Sequence, residues 1–191
     1  MKKNKTYYNL DQLIENDRGW LFYNAAIKNW KKIHSKIIGN NILDLGCGGG
    51  VSIALSQVFE PHKKFIGFEG DNKFKKIWDK RGVKVKTGNI YKLPFDNNQF
   101  DTVYSSHVLE HLKFPKKAIM ESIRVSNKRI IHSVPSGNVN DKNFGSKHLH
   151  IYNRVNFKKL FKIKNTSIID YSVVEDNHMS SFIIVLEKNN D

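Results

Sequence analysis

Strand-like runs recur along the chain at residues 41–45, 64–69, 83–87, 101–105 and 129–134, alternating with helical stretches. Their alternation with helices is the βαβ rhythm of a parallel sheet covered on two sides. Two further runs, at 166–174 and 180–187, have no obvious long helix between them and predict a closing antiparallel hairpin. The expected fold is α/β: a three-layer sandwich around a seven-stranded, mostly parallel sheet. Ahead of it, WLFYNAAIKNWKKIHSKI carries apolar side chains at helical spacing, with Asp17 available as a cap before Trp20. Residues 1–37 therefore read as an N-terminal helical segment packing beside a core of residues 38–191. Its aromatic residues Tyr7, Tyr8, Trp20, Phe22 and Tyr23 could serve as a lid, although plain core packing is the simpler reading.

The first core strand runs straight into glycines, as ILDLGCGGG at 42–50. Glycine lets a backbone turn sharply and approach a ligand closely, and the helix expected from Val51 points its amide end the same way. That combination marks a nucleotide-cofactor site. The dinucleotide fingerprint places its third glycine three residues after the second. Here that position is Val51, and the pattern is instead Asp44-x-Gly46-x-Gly48-x-Gly50. The next strand, FIGF, ends in Glu69, about 20 residues after the glycines, where a carboxylate can accept hydrogen bonds from both ribose hydroxyls. Asp71, just ahead of an amphipathic stretch, is expected to cap the following helix.

These motifs resemble those of the class I, Rossmann-like S-adenosylmethionine (SAM) dependent methyltransferases, in the branch that acts on small molecules. Further along, GNIYKLPFDNNQFDTVYSSHVLEHL at 88–112 is similar to that branch through strand four, and RVSNKRIIHSVPSG at 124–137 to its fifth strand. Ser126, Asn127 and Lys128 stand where relatives carry a Pro-Gly-Gly turn. The segment HLHIYNRVNFKKLF resembles one that brings a histidine near the substrate and then forms a helix. The resemblance spans roughly residues 38–162 and implies SAM as cofactor. It assigns Asp44 to the methionine amino group and the glycine turn, Gly46, Gly48 and Gly50 to the backbone cradle, and Cys47 to its lining. Glu69, with Gly70 beside it, is assigned to the ribose, and Ile90 to the adenine face. Asn89 replaces the usual aspartate at the adenine amino group, offering an oxygen acceptor without charge. Ser105 and Ser106, at the end of strand four, complete the set.

The composition changes this picture little. With 191 residues the chain has the length of a single domain. No stretch is long and apolar enough for a membrane span, and a cytoplasmic location is expected. The single cysteine excludes an internal disulfide and a cysteine-cluster zinc site. A net charge of +14 invites a nucleic-acid partner. Only 5 of the 32 basic residues are Arg, however, and Asn and Ile are abundant, as an AT-rich coding sequence would give. Lysine pairs such as Lys63–Lys64, Lys75–Lys76, Lys116–Lys117 and Lys158–Lys159 read as solvated helix faces.

Chemistry is expected at the C-terminal end of strand four, where open α/β sheets place ligands. His107 is the first candidate for a general base, with His148, His150 or Tyr152 from the loop after strand five in support. Glu110 and His111 are expected to begin a helix there. With His107, His148 and His150 they resemble the two-glutamate, two-histidine metal site of methyltransferases acting on the terminal ribose of small RNAs. His107 stands where the first glutamate would be, so no metal is assigned. The Asn/Asp-Pro-Pro-aromatic tetrapeptide of amino-directed enzymes is missing, and no cysteine is placed for pyrimidine carbon-5 chemistry. The expected acceptor is an oxygen, nitrogen or carbon atom of a small molecule, sugar or glycan, or lipid, with a pocket built from the N-terminal helix and the 135–152 loop. The rival readings are an RNA-terminal methyltransferase and a SAM-binding partner subunit without turnover.

Overall fold

The computed structural model describes residues 24–136, 148–175 and 180–189. Helix α1 (Asn24–His34) precedes β1 (Asn41–Leu45), α2 (Val51–Phe59), β2 (Lys64–Glu69), α3 (Lys75–Arg81), β3 (Val85–Thr87) and β4 (Phe100–Ser106). A 3₁₀ turn (Leu109–His111), α4 (Pro115–Val125), β5 (Ser126–Pro135), α5 (Arg154–Lys159), β6 (Thr166–Val174) and β7 (Ser181–Lys188) follow. The seven strands form one sheet in the order β3-β2-β1-β4-β5-β7-β6. The ladders among β1 to β5 are parallel, and β7 runs antiparallel between β5 and β6. Both the mostly parallel sheet and its closing antiparallel hairpin match the expected α/β sandwich.

Alternation along the strands divides the core into two layers. Ile42, Tyr104, Ile131, Ile183 and Val185 point to one face, where Ile33 of α1, Ile53 of α2 and Trp78 of α3 cover them. Leu43, Leu45 and Val103 point to the other, toward Phe95, Phe100 and Val125. On that second face Ile130, Ile184 and Leu186 meet Ile119 of α4 and Phe157 of α5. The helices have local reasons to begin where they do. Pro115 occupies the first turn of α4. Asn153 and Asn156 form a reciprocal capping box at α5.

Several local expectations need correction. Asp71 does not cap α3: its Oδ1 accepts from Lys73 N in a tight turn, and Phe74 is the cap residue. Glu110 and His111 lie in a single 3₁₀ turn and begin no α-helix. The Ser126–Lys128 segment is no separate turn, because α4 passes directly into β5 through a register irregularity beside Phe100. Lys63 and Lys64 are on no helix: Lys63 pairs with Glu60 at 2.8 Å and Lys64 opens β2. Tyr7, Tyr8, Asp17, Trp20, Phe22, Tyr23 and most of the 135–152 loop lie outside the described residues. No helix among the described residues is long and apolar enough to cross a membrane.

Candidate active site

The turn after β1 folds back on β2: the amides of Gly46 and Cys47 both donate to Phe68 O, at 2.7 and 3.1 Å. Gly46, Gly48 and Gly50 take left-handed φ values of 73°, 52° and 78°. A Cβ on Gly46 would stand 2.5 Å from a Val108 methyl, whereas one on Gly48 would meet nothing within 4 Å. The first position thus needs glycine for packing and conformation, and the second leaves open space beside the backbone. Two α3 side chains clamp the turn from outside, with Trp78 Nε1 donating to Gly48 O and Arg81 to Gly49 O, each at 2.7 Å. Sequence reading missed both, although Trp78 and Arg81 share one helix face at i, i+3 spacing.

Glu69 closes the turn from β2. Its Oε2 accepts from Gly48 N at 2.9 Å and its Oε1 from Gly70 N at 2.7 Å. A carboxylate has about four lone-pair positions, so about two remain for hydroxyl donors. Glu69 and Gly70 line a cavity of about 530 Å³ with Gly46, Asn89, Ile90 and His107. Asn89 Oδ1 already accepts from Tyr91 N at 2.9 Å, so one of its lone pairs is spent on the local turn.

Asp44 sits one layer below. Even-numbered β1 side chains face α2, so its carboxyl is buried under the turn and does not line the cavity. Burial pushes it up to about 7, hydrogen bonds from Tyr104 and Ser52 oppose this, and Glu69 adds to it by repulsion. The Ser52 and Tyr104 hydroxyls are themselves 2.8 Å apart. Cys47 also turns away from the cavity. Its sulfur packs where a Gly67 side chain would be, and burial drives the thiol far above its ordinary value.

The same alternation separates Ser105 from Ser106. Ser105 points to the α4 face, where its Oγ lies 2.8 Å from His132 Nδ1 in the buried core, not in the cavity. Ser122 donates to Ile119 O, so it accepts from His132 Nε2, and His132 Nδ1 accepts from Ser105. Burial takes His132 down to about 3, leaving it a neutral bridge. Ser106 points to the α1 face and accepts from Asn29 Nδ2 at 2.9 Å, while Ser133 donates to Asn29 Oδ1 at 2.8 Å. Buried Asn29, which sequence reading missed, ties α1 across the ends of β4 and β5.

His107 does line the cavity. It adopts a left-handed φ of 54°, its amide donates to Ser133 O, and its Nε2 lies 2.9 Å from Ser181 Oγ. Burial first, then His148 and His111, lower it to about 4. His150 Nε2 donates to Leu112 O at 2.9 Å, and Tyr152 is a core residue packed on Phe157. Burial raises the Tyr152 phenol well above its ordinary value. Neither His150 nor Tyr152 borders the cavity, because the capped start of α5 draws this segment into the second core layer. His148 stands against His111, with ring centroids 4.7 Å apart. Glu110 is fully buried, and burial pushes its carboxyl up to about 8 against the pull of its own backbone amide.

Residues 43–129, which hold the turn, Glu69 and strand β4, match the family described as a methyltransferase domain. Those residues carry a methyltransferase domain, and the fold around them is that of class I SAM-dependent methyltransferases. The methyltransferase domain is 33% identical over 46% of this chain to an uncharacterised methyltransferase of Schizosaccharomyces pombe, covering 36% of that protein. It is 32% identical over 54% of this chain to the Arabidopsis thaliana tRNA (carboxymethyluridine(34)-5-O)-methyltransferase, covering 26% of it. The chain spans between a third and a half of the length of the first curated relatives it matches. In fold it is similar to magnesium protoporphyrin IX methyltransferase from Synechocystis with bound SAH, at TM-score 0.64 and 17% identity, covering 86% of this chain and 81% of that one. A Haloferax volcanii complex of the Trm112 methyltransferase activator with a methyltransferase gives TM-score 0.75 at 12% identity, covering 95% and 96% of the chains.

Proposed function

We propose that this methyltransferase domain moves a methyl group from SAM to an oxygen, nitrogen or carbon atom of a small-molecule, glycan or lipid-type acceptor. The observation that carries the reading is a cavity with Glu69 and an open glycine turn in one part of its wall and His107 and His111 in another. The residues fit the cofactor: Gly48 leaves room beside its backbone, and Glu69 keeps lone pairs for the ribose. Ile90 offers an apolar wall for the adenine, and Asp44, buried one layer below the turn, acts on the methionine amino group only by the field of its ionised fraction. Bound SAM supplies an electrophilic methyl on a sulfonium, so the protein's work is chiefly alignment. His107, neutral at pH 7, orients an acceptor more readily than it holds a proton. That favours an acceptor atom that is already nucleophilic, or one assisted by another group.

A second reading, an RNA acceptor, is supported by the net charge of +14 and by the tRNA-directed Arabidopsis relative. Transfer of labelled methyl from SAM into total RNA, compared with small-molecule and glycan fractions, separates the two, with Glu69→Ala as control. Losing two charged hydrogen bonds to the ribose should weaken SAM binding about a hundredfold or more, at about 1.5–3 kcal/mol each. Unchanged affinity in Glu69→Ala would sink the ribose assignment. Binding without transfer to any fraction would favour a partner subunit.

A further inference from the structure

Beside the cofactor cavity, one carboxylate is out of keeping with its surroundings. Glu110 stands in the turn after β4 with its side chain fully buried, and neither oxygen hydrogen-bonds another described residue. A buried carboxylate in that condition is costly unless a cation completes it. Its backbone, by contrast, is fully used: Glu110 O accepts from Leu149 N at 2.8 Å and from His150 N at 3.1 Å. Those two bonds anchor the segment after β5 and hold His148 against His111.

One carboxylate oxygen of Glu110 and one ring nitrogen each from His111 and His148 consequently lie within 4.8 Å of one another. Ligands about 2.1 Å from a common ion stand up to about 4.2 Å apart, so a small side-chain adjustment brings all three onto one ion. We propose that Glu110, His111 and His148 form a site for one divalent transition-metal ion at the edge of the cofactor cavity. Two imidazoles and one carboxylate are a borderline donor set, suited to zinc, cobalt, manganese or iron; magnesium prefers all-oxygen ligands. Three protein ligands leave coordination positions open. His111 belongs both to this cluster and to the cavity wall, so the ion borders the cavity.

A role follows that rests on the methyltransferase reading. An acceptor hydroxyl whose oxygen coordinates the ion loses its proton to water more readily, the electron pair of the O–H bond remaining on that oxygen. The site would thereby supply the activation that neutral His107 does not.

The test is titration of chelator-stripped protein with Co²⁺, read by visible absorption, and with Zn²⁺ by calorimetry. Wild type is compared with Glu110→Gln and His148→Ala after circular dichroism shows that each variant is folded. One equivalent bound by wild type, with the cobalt band lost in both variants, is the expected result. Equal uptake by wild type and variants, or no uptake by wild type, overturns the site. SAM binding is measured on the same samples. Cobalt uptake that depends on Glu110, in a protein that does not bind SAM, supports the metal site and overturns the functional reading instead.

Discussion

Replacing Asp44 by Asn tests whether a charge proposed to attract the cofactor's amino group is held there at the expense of stability. The carboxyl is buried on the α2 face and titrates at about 7 in the folded protein, against 3.8 as its ordinary value. Because the folded value is the higher one, the folded chain binds the proton more tightly. The group's contribution to stability is therefore full below about pH 3.8 and is lost as pH rises through about 7. Integrated over that interval the loss is about 4 kcal/mol, of which about 2 kcal/mol falls between about pH 5.5 and about pH 8.5. Asparagine keeps the shape and carries no titrating charge. Urea unfolding of both proteins at the two pH values should show Asp44→Asn the more stable at the higher pH. Its advantage over wild type should grow by about 2 kcal/mol between them. Taking the difference between the two proteins cancels the titrations of Glu110, His107 and His132, which remain in both. The variant should also bind SAM less tightly, an exchange of function for stability. A gap that does not change with pH would refute the buried-charge argument.

Two further outcomes follow from the site. Trp78→Phe removes the donor to Gly48 O, and should cost about 1–2 kcal/mol in urea unfolding while weakening SAM binding measured by equilibrium dialysis. Lowered stability with unchanged affinity would show that this clamp does not shape the cofactor turn. His107→Ala should lower turnover and leave SAM affinity intact. Because His107 titrates at about 4, the wild-type pH–rate profile should carry no bend from this imidazole above about pH 5.5. A bend near its ordinary value of 6.5 that disappears in the variant would refute the neutral, orienting role.

Most of the fold was legible because strand-like runs alternate with helical stretches along the chain, and the run at 41–45 coincides with β1. The glycine turn was legible for a local reason, since its backbone demands and the Glu69 carboxylate lie at the ends of adjacent parallel strands. What escaped were partnerships between distant residues. Trp78 and Arg81 meet the turn about 30 positions away, and Asn29 joins Ser106 and Ser133 across three elements. Ser105 and Ser106 were grouped as neighbours in sequence, but strand alternation sends them to opposite faces, a distinction that period-two reasoning could have drawn. His150 and Tyr152 read as chemistry because their side chains are versatile. Only the packing of α5 against the sheet shows that neither borders the cavity.

The placement of β7 has a consequence for the order of assembly. Chain synthesis delivers β1 through β4, and with them the glycine turn and Glu69, well before residues 181–188 exist. Until β7 inserts, β5 presents a bare hydrogen-bonding edge flanked by apolar side chains, and His107 lacks Ser181. The Glu69 end of the cavity can therefore form early, whereas the His107 end is completed when β7 arrives. Loss of that strand would leave a nascent chain with an adhesive sheet edge beside a half-built site.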